Sequence, residues 1–234
     1  MIRQIMNTAT AMASRMQQQE IIANNLANVN TTGFKRDRLF QEMLTEEQTD
    51  LSRATTPVTV FEQGTLRETQ NATDLAIQGK GFFVVETPQG TRYTRNGHFS
   101  LNAGGELVTD EGMPVMGRGG VVGGTGALAV NEKGEVYWDG RLTDQLLVVD
   151  LPEDVSLTKV GDGLFAPADS QASGLEVESE AFVLKQGYLE ESNVNAVEEM
   201  VRMMTVYRHF EADQKTLKTQ DDILGKAVNE IGRA

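Results

Sequence analysis

The C-terminal stretch from Ala196 to Ile231 constrains this chain most, because it is long, free of proline and apolar at intervals of three and four residues. Asn195 before it, with Glu198 three positions on, is typical of a capped helix start. The spacing is that of a coiled-coil seam, with one shortened step after Tyr207. A helix of this length cannot bury its own seam, so it requires a partner. The apolar positions are Val197, Met200, Met204, Tyr207, Phe210, Leu217, Leu224, Val228 and Ile231.

The N-terminus provides a matching helix, predicted from about Arg3 to Ala27. Either stripe alone is typical of an ordinary core-facing helix. Two narrow stripes at opposite ends of one chain instead favour pairing of the ends and further packing against other copies. We therefore interpret both stripes as a self-assembly interface, whose N-terminal positions are Ile2, Ile5, Ala9, Met12, Met16, Ala23 and Leu26.

The middle of the chain has the short periods and close turns of strands. Asn96-Gly97 and Asp139-Gly140 are hairpin signals, and Phe61–Leu66 is predicted as a further short hairpin. The predicted fold class is α+β, with terminal helices that pair as a coiled coil around a central antiparallel β domain. The predicted divisions are an N-terminal helix with its following motif at 1–36, an extended connector at 37–80, the β domain at 81–187 and the C-terminal helix at 188–234.

Charge is distributed unevenly along the chain. The formal net charge is −13, and residues 41–187 account for all of it, while the two ends sum to zero. An acidic body excludes nucleic acid as the expected partner, because phosphate binding requires a basic surface. Near-neutral ends suit close packing of many copies, since like charge would otherwise accumulate.

Residues suited to catalysis are few. The chain has no cysteine, and its two histidines, His98 and His209, fall in different predicted domains. The sequence from Gly124 to Ala129 fits a dinucleotide fingerprint formally, but Gly134 interrupts the helix that such a site requires. We therefore predict no catalytic residue, no cofactor, no metal ligand and no small-molecule substrate.

A motif follows the first helix. Asn24, Asn25 and Asn28 crowd its end, where their side chains compete for backbone hydrogen bonds, and Gly33-Phe34 comes after a Thr-Thr pair that favours a helix stop. This run resembles the N-terminal signature of the flagellar rod and hook proteins, the axial proteins of the bacterial flagellum. Three further segments resemble the same family in the same order, at 74–85, at 93–100 and at 187–195, the last with Asn193 and Asn195.

The resemblance implies a structural subunit of the flagellar basal-body rod that self-assembles, with other rod proteins, into a tubular shaft that crosses the periplasm and transmits torque. It is closest to the proximal-rod FlgF type, with the distal-rod subunit as the alternative. An enzyme or ligand-binding β domain on a helical oligomerisation stalk is a third interpretation. No secretory signal segment or membrane span is visible, which alone predicts a cytoplasmic protein. The resemblance instead implies export by the flagellar type III apparatus without a cleavable signal peptide.

Overall fold

The computed structural model describes residues 2–41, 55–150, 157–161, 163–167, 175–176 and 182–231. It is an α+β fold with two long helices, α1 (Ile2–Ala27) and α2 (Ala196–Ile231), close to the predicted bounds. The strands are β1 (Asp37–Gln41), β2 (Thr55–Thr59), β3 (Leu66–Glu68), β4 (Leu75–Gly79), β5 (Phe82–Thr87), β6 (Gly90–Thr94), β7 (Ser100–Leu101), β8 (Leu107–Val108), β9 (Met116–Gly117), β10 (Gly120–Val121), β11 (Leu128–Val130), β12 (Glu135–Trp138), β13 (Arg141–Gln145), β14 (Val148–Asp150), β15 (Leu157–Gly161), β16 (Leu164–Pro167), β17 (Leu175–Glu176), β18 (Phe182–Gln186) and β19 (Tyr188–Glu190).

The chain forms two compact units. The first, here called the helical unit, comprises Met1–Val29, Arg36–Val60 and Val194–Ala234, and the second, the β unit, comprises Asn30–Lys35 and Phe61–Asn193. Four strands, β1 to β4, lie within the segment that the sequence predicts as an extended connector.

In the helical unit, α1 and α2 lie against each other, and β1 pairs with β2 as an antiparallel hairpin. The helices are joined by an ion pair of 2.5 Å between Arg15 and Asp213. Asn195 caps α2 as predicted, because its side-chain oxygen accepts hydrogen bonds from the N–H groups of Val197 and Glu198 at 3.1 and 3.3 Å. Within the described residues, neither helix is long and apolar enough to cross a membrane.

The β unit is built on a six-stranded antiparallel sheet in the order β15-β16-β6-β5-β14-β17. The central strand β5 begins with four apolar residues, because both of its faces are buried over Phe82–Val85. Phe83 and Val85 point into the larger core, and Phe82 and Val84 point into a second, smaller core on the other face. Smaller antiparallel sheets complete the unit, namely β3-β19, β4-β18, β7-β8, β9-β10 and β11-β12-β13.

The loops of two hairpins, β7-β8 and β11-β12, contain the same pattern of hydrogen bonds. Asn102 and Asn131 each begin a loop in which the side-chain oxygen accepts a hydrogen bond from the N–H group of a glutamate four residues on, at 2.9 Å in both cases. The asparagine amide in turn donates to that glutamate's carboxylate, Glu106 or Glu135, at 2.7 and 2.6 Å. The sequence pattern Asn-x-x-Gly-Glu at 102–106 and 131–135 is therefore a repeated structural motif.

The hairpin predictions have different outcomes. Asp139-Gly140 is confirmed, since both residues have positive φ, 47° and 78°, as a tight turn between β12 and β13 requires. The prediction at Asn96-Gly97 is wrong, because β6 pairs with β5 and β16 and not with the next strand. A Cβ at Gly97 would lie 1.6 Å from the carbonyl oxygen of Leu75, so this glycine permits a close backbone approach. Phe61–Leu66 is not a hairpin either, because Leu66 pairs with β19.

Candidate assembly interface

The predicted apolar stripe of α2 lies on two faces of the helix. Val197, Met200, Met204 and Tyr207 are 49–71% exposed, whereas the later positions are half-buried on the side toward α1. Val197 and Leu224 are separated by about seven and a half helical turns, which places them on opposite faces. The shortened step after Tyr207 marks the change of face. The expectation of one continuous seam is therefore corrected. The half-buried later positions are Phe210, Leu217 and Leu224.

Burial also differs among the positions of the N-terminal stripe, although these alternate along one face of α1. Ile5, Met12 and Leu26 are half-buried, and Ala9, Met16 and Ala23 are exposed. The side chains of Ile2, Val228 and Ile231 lie outside the described residues.

Four exposed apolar residues near the start of α2 form a compact patch, here called the α2 patch, of Val197, Met200, Met204 and Tyr207. It extends over about 15 Å of helix, since the rise is about 1.5 Å per residue. Beyond it the same face becomes polar, with Glu211 and Gln214 exposed. The α2 patch thus ends within the first half of the helix.

A groove in the helical unit, of about 330 Å³, lies beside this patch. Its apolar lining includes Ile22, Leu39 and Val201, and its charged lining includes Glu199 and Arg202. Glu199 is 2% exposed, and its carboxylate lies 3.6 Å from Arg202. The groove therefore combines apolar walls with an ion pair whose carboxylate is buried.

The asparagines at the end of α1 have structural partners. Asn25 is 1% exposed and forms two hydrogen bonds of 2.9 Å with the backbone of Asp37, donating to its carbonyl and accepting from its N–H group. The Asn25 amide therefore forms the two hydrogen bonds that the backbone of a neighbouring strand would otherwise form with Asp37. It holds the start of β1 against α1. Asn28 donates to the carbonyl of Asn24 at 2.9 Å, which caps the helix end.

Gly33 is left-handed as predicted, with φ of 67°. It also lies against another segment, because a Cβ there would be 2.4 Å from the backbone carbon of Arg95 and the nitrogen of Asn96. Thr32 donates to the Asn96 side chain at 2.6 Å. The neighbouring Phe34 is buried, and the Lys159 ammonium lies 4.1 Å from its ring centroid.

Lys35, Arg95 and Glu190 form a buried ionic cluster in the β unit. The Lys35 ammonium contacts one carboxylate oxygen of Glu190, and the Arg95 guanidinium lies 3.4 Å from the other. The two cations also donate to backbone carbonyls, Lys35 to that of Glu62 at 2.8 Å and Arg95 to that of Gly79 at 2.7 Å. Burial lowers the pKa of Lys35 and of Arg95, while Glu190 acts in the opposite direction on both.

Sequence reasoning missed this cluster, although each of its members lies in or beside a family-like segment. The other predicted signature residue, Asn193, donates to the Glu62 carbonyl at 3.0 Å. The motifs around Lys35, Arg95 and Glu190 are mostly polar, so no local pattern in the sequence marks these three charges as buried.

The two histidines belong to different units, as expected. His98 is half-buried, and its Nδ1 lies 2.8 Å from the buried carboxylate of Asp74, while His209 is exposed on α2. In the described part of the chain, no group of three or more acidic, histidine or cysteine side chains is arranged for a metal ion.

Three family models match the chain. They are "Flagella basal body rod protein" at residues 5–35, "Flagellar hook protein FlgE/F/G D1 domain" at 76–138 and "Flagellar basal body rod FlgEFG protein C-terminal" at 185–230.

Full-length relatives agree with these matches. The flagellar basal-body rod protein FlgG of Buchnera aphidicola subsp. Acyrthosiphon pisum (strain APS) is 33% identical, over 97% of this chain and 98% of the relative. FlgG of Caulobacter vibrioides is 34% identical, over 92% and 94%. The flagellar hook-basal body complex protein FlhO of Bacillus subtilis (strain 168) is 32% identical over 100% of both.

The chain belongs to the flagellar basal-body rod protein family. The resemblance drawn from the sequence is confirmed, and with it the assignment as a structural subunit of the basal-body rod and not an enzyme. The ionic cluster now has a clear relation to the family, because each member comes from a different matched segment. Lys35 ends the first segment, Arg95 lies in the second and Glu190 lies in the third. The three family-matched segments of this rod protein therefore meet at one buried charge cluster in the β unit.

Proposed function

We propose that this rod subunit self-assembles through both faces of its terminal helices into a tubular shaft that crosses the periplasm and transmits torque. The half-buried faces pair α1 with α2 as a coiled coil within one subunit, and the exposed faces contact neighbouring subunits. Other rod proteins contact the part of the shaft built from this subunit at each of its two ends. The observation that carries this proposal is the exposed α2 patch.

The size of the effect supports an assembly role. Burying an apolar side chain of this size contributes about 1.5–3 kcal/mol, and about half of that remains available at each half-exposed position. Four such residues would contribute a few kcal/mol at each contact. A subunit in a helical assembly repeats the contact with every copy, so a modest patch is sufficient.

The inner pairing of the helices is polar enough to need support from neighbours. Arg15 and Asp213 lie in it as an ion pair, and Gln220 Oε1 is buried with no hydrogen-bond partner among the described residues. A polar seam gives a coiled coil specificity at a cost in stability. Assembly therefore adds stability that the isolated pair lacks.

The test compares two substitutions with the same change of charge on α2. Met204→Asp places a carboxylate in the α2 patch, and Gln214→Asp places one on the exposed polar part of the same face, beyond the patch. We expect rods from the Gln214→Asp subunit and none from Met204→Asp, with equal helix content by circular dichroism. Negative-stain microscopy of the purified subunit, alone and with its neighbouring rod proteins, is the measurement. Normal rods from Met204→Asp would contradict the proposal.

The position along the rod has two candidates. The proximal-rod FlgF type stays our prediction, and the FlgG name of several relatives favours the distal rod as the second candidate. We expect loss of a proximal subunit to leave no rod, and loss of a distal subunit to leave a short one. Electron cryotomography of basal bodies from cells that lack this chain separates the two.

Export by the flagellar type III apparatus without cleavage is part of the same proposal. The N-terminal stripe belongs to α1, so removal of a signal segment of about 15–30 residues would destroy the helix pair. The chain recovered from basal bodies should therefore still contain α1, with an intact mass no lower than the 25.6 kDa of these 234 residues. A shorter chain that lacks α1 would contradict this.

A further inference from the structure

We propose that Met200 and Met204 are a site of reversible oxidation by peroxide-class oxidants, and that their conversion to sulfoxides blocks assembly. The second half of this inference rests on the proposed function. The first half rests on the exposure and chemistry of the two thioethers alone.

The two methionines are accessible and adjacent. They are 49% and 55% exposed, and they lie one helical turn apart on α2, between Val197 and Tyr207. Met113 and Met116 differ, because both are half-buried against the cores of the β unit. The chain thus contains its own reference methionines.

The composition of the chain makes methionine its main target for oxidants. The sequence has ten methionines and no cysteine, so thioethers are its most readily oxidised groups. Met6 and Met16 on α1 are exposed as well, at 64% and 52%, but they are ten positions apart and have polar neighbours such as Thr10 and Gln19. Met200 and Met204 are the exposed pair that lies on a continuous apolar surface.

The reaction needs no group from the protein other than the sulfur. A sulfur lone pair attacks one oxygen of hydrogen peroxide, so an S–O bond forms as the O–O bond breaks. The sulfur is oxidised by two electrons, and the other peroxide oxygen is reduced and leaves as water after proton transfer. The product is a methionine sulfoxide, which the two stereospecific sulfoxide reductases return to the thioether.

Oxidation to sulfoxides makes the α2 patch more polar, and this opposes assembly. A sulfoxide is polar and disrupts interfaces that are rich in methionine. Two sulfoxides one turn apart would have to be desolvated in every subunit contact, without a partner designed for them. The reduced pair, in contrast, is apolar and adaptable, which suits close packing against a neighbouring subunit.

The first experiment maps oxidation. The purified full-length subunit is treated with hydrogen peroxide, and peptide mass spectrometry follows the sulfoxide at each methionine with time. We expect Met200 and Met204 to oxidise severalfold faster than Met113 and Met116. Equal rates at the four positions would overturn the site.

The second experiment measures assembly. Peroxide treatment should abolish rod formation, and treatment with both sulfoxide reductases should restore it. Met200→Leu with Met204→Leu keeps the surface apolar and removes both thioethers, so this variant should assemble even after peroxide. Met113→Leu with Met116→Leu is the matched control and should stay sensitive. Continued assembly of the oxidised original subunit, or loss of assembly in the oxidised Met200→Leu, Met204→Leu variant, would overturn the inference.

A failure of the proposed function gives a different result. An untreated subunit that forms no rods, alone or with its neighbouring rod proteins, contradicts self-assembly and overturns the blocking effect with it. The oxidation map still decides whether Met200 and Met204 are the oxidation site.

Discussion

The Lys35 ammonium and the Glu190 carboxylate form an ion pair inside the β unit, where each side chain is 1% exposed, although 155 positions separate the two residues. The contact joins the segment after α1 to the segment before α2. Glu190 also accepts a hydrogen bond from the Gly64 N–H group at 2.8 Å and lies beside Arg95. One carboxylate thus compensates two buried cations, which makes it the most sensitive member of the cluster.

Glu190→Gln is therefore expected to destabilise the β unit by about 3–5 kcal/mol, because it removes the carboxylate that both buried cations contact. The single tryptophan, Trp138, lies in that unit, so its fluorescence during urea unfolding is the measurement. Glu191→Gln is the matched control, since Glu191 pairs with Arg67 at the surface at 3.1 Å and such pairs contribute about 1 kcal/mol or less. Equal effects of the two substitutions would contradict the importance of the cluster.

Both helices and several strands could be predicted from the sequence, because each depends on local information. Apolar spacing, the Asn195 cap and the Asp139-Gly140 turn all act within a few residues. The ionic cluster could not be predicted in this way, since its three members are brought together by tertiary contacts.

The interface residues show a more specific limit. The spacing of three and four residues identifies the apolar positions of α2. From that spacing alone, the shortened step after Tyr207 is a local irregularity within one seam. Helical geometry turns that step, together with the slow drift of a heptad stripe, into a change of face. Met204 and Leu224 therefore have different surroundings, 55% exposed and half-buried. A prediction from spacing alone cannot assign a face without adding up the rotation along the helix.

Gly33→Ala tests whether Gly33 is required for conformation or for close packing. It should destabilise the β unit by about 2–5 kcal/mol, from the left-handed backbone and from contact with the Arg95–Asn96 backbone together. Gly112→Ala is the matched control, because Gly112 has a similar φ of 80° but nothing within 4 Å of an added Cβ. It should cost about 1–2 kcal/mol. Urea unfolding followed by Trp138 fluorescence compares the two, and equal losses would show that packing at Gly33 contributes nothing.

The Tyr137–Glu135 hydrogen bond of 2.7 Å predicts a pH dependence. The bond to Glu135 raises the pKa of Tyr137 above 10.0, and bonds from Tyr137 and Asn131 lower the pKa of Glu135 below 4.5. A lowered acid pKa means that the stabilising effect of Glu135 is present above 4.5 and is lost as pH falls through the lowered value. A raised tyrosine pKa means that the effect of Tyr137 is present below 10.0 and is lost as pH rises through the raised value.

Glu135→Gln should therefore shift the ionisation of Tyr137 to lower pH. The difference in ultraviolet absorbance between each protein and its Tyr137→Phe counterpart isolates this tyrosine during titration. Glu132→Gln is the control, since Glu132 is an exposed neighbour in the same loop. An unchanged Tyr137 midpoint in Glu135→Gln would contradict the hydrogen bond as the cause.

Asn25 in α1 provides the sharpest test of the helical unit. Its amide replaces a strand partner for the backbone of Asp37, with one donated and one accepted hydrogen bond of 2.9 Å. Asn25→Ala removes both bonds from a site that is 1% exposed, so we expect a loss of about 1–3 kcal/mol in the helical unit. The Asp37 amide should then exchange with solvent faster, because its N–H group loses the oxygen that protects it. Hydrogen exchange measured by NMR at Asp37 reports this directly, and Asn24→Ala, at the exposed neighbouring position, should leave it unchanged. If Asn25→Ala also left the exchange of Asp37 unchanged, the start of β1 would be held by other contacts, and the asparagine would have no positioning role.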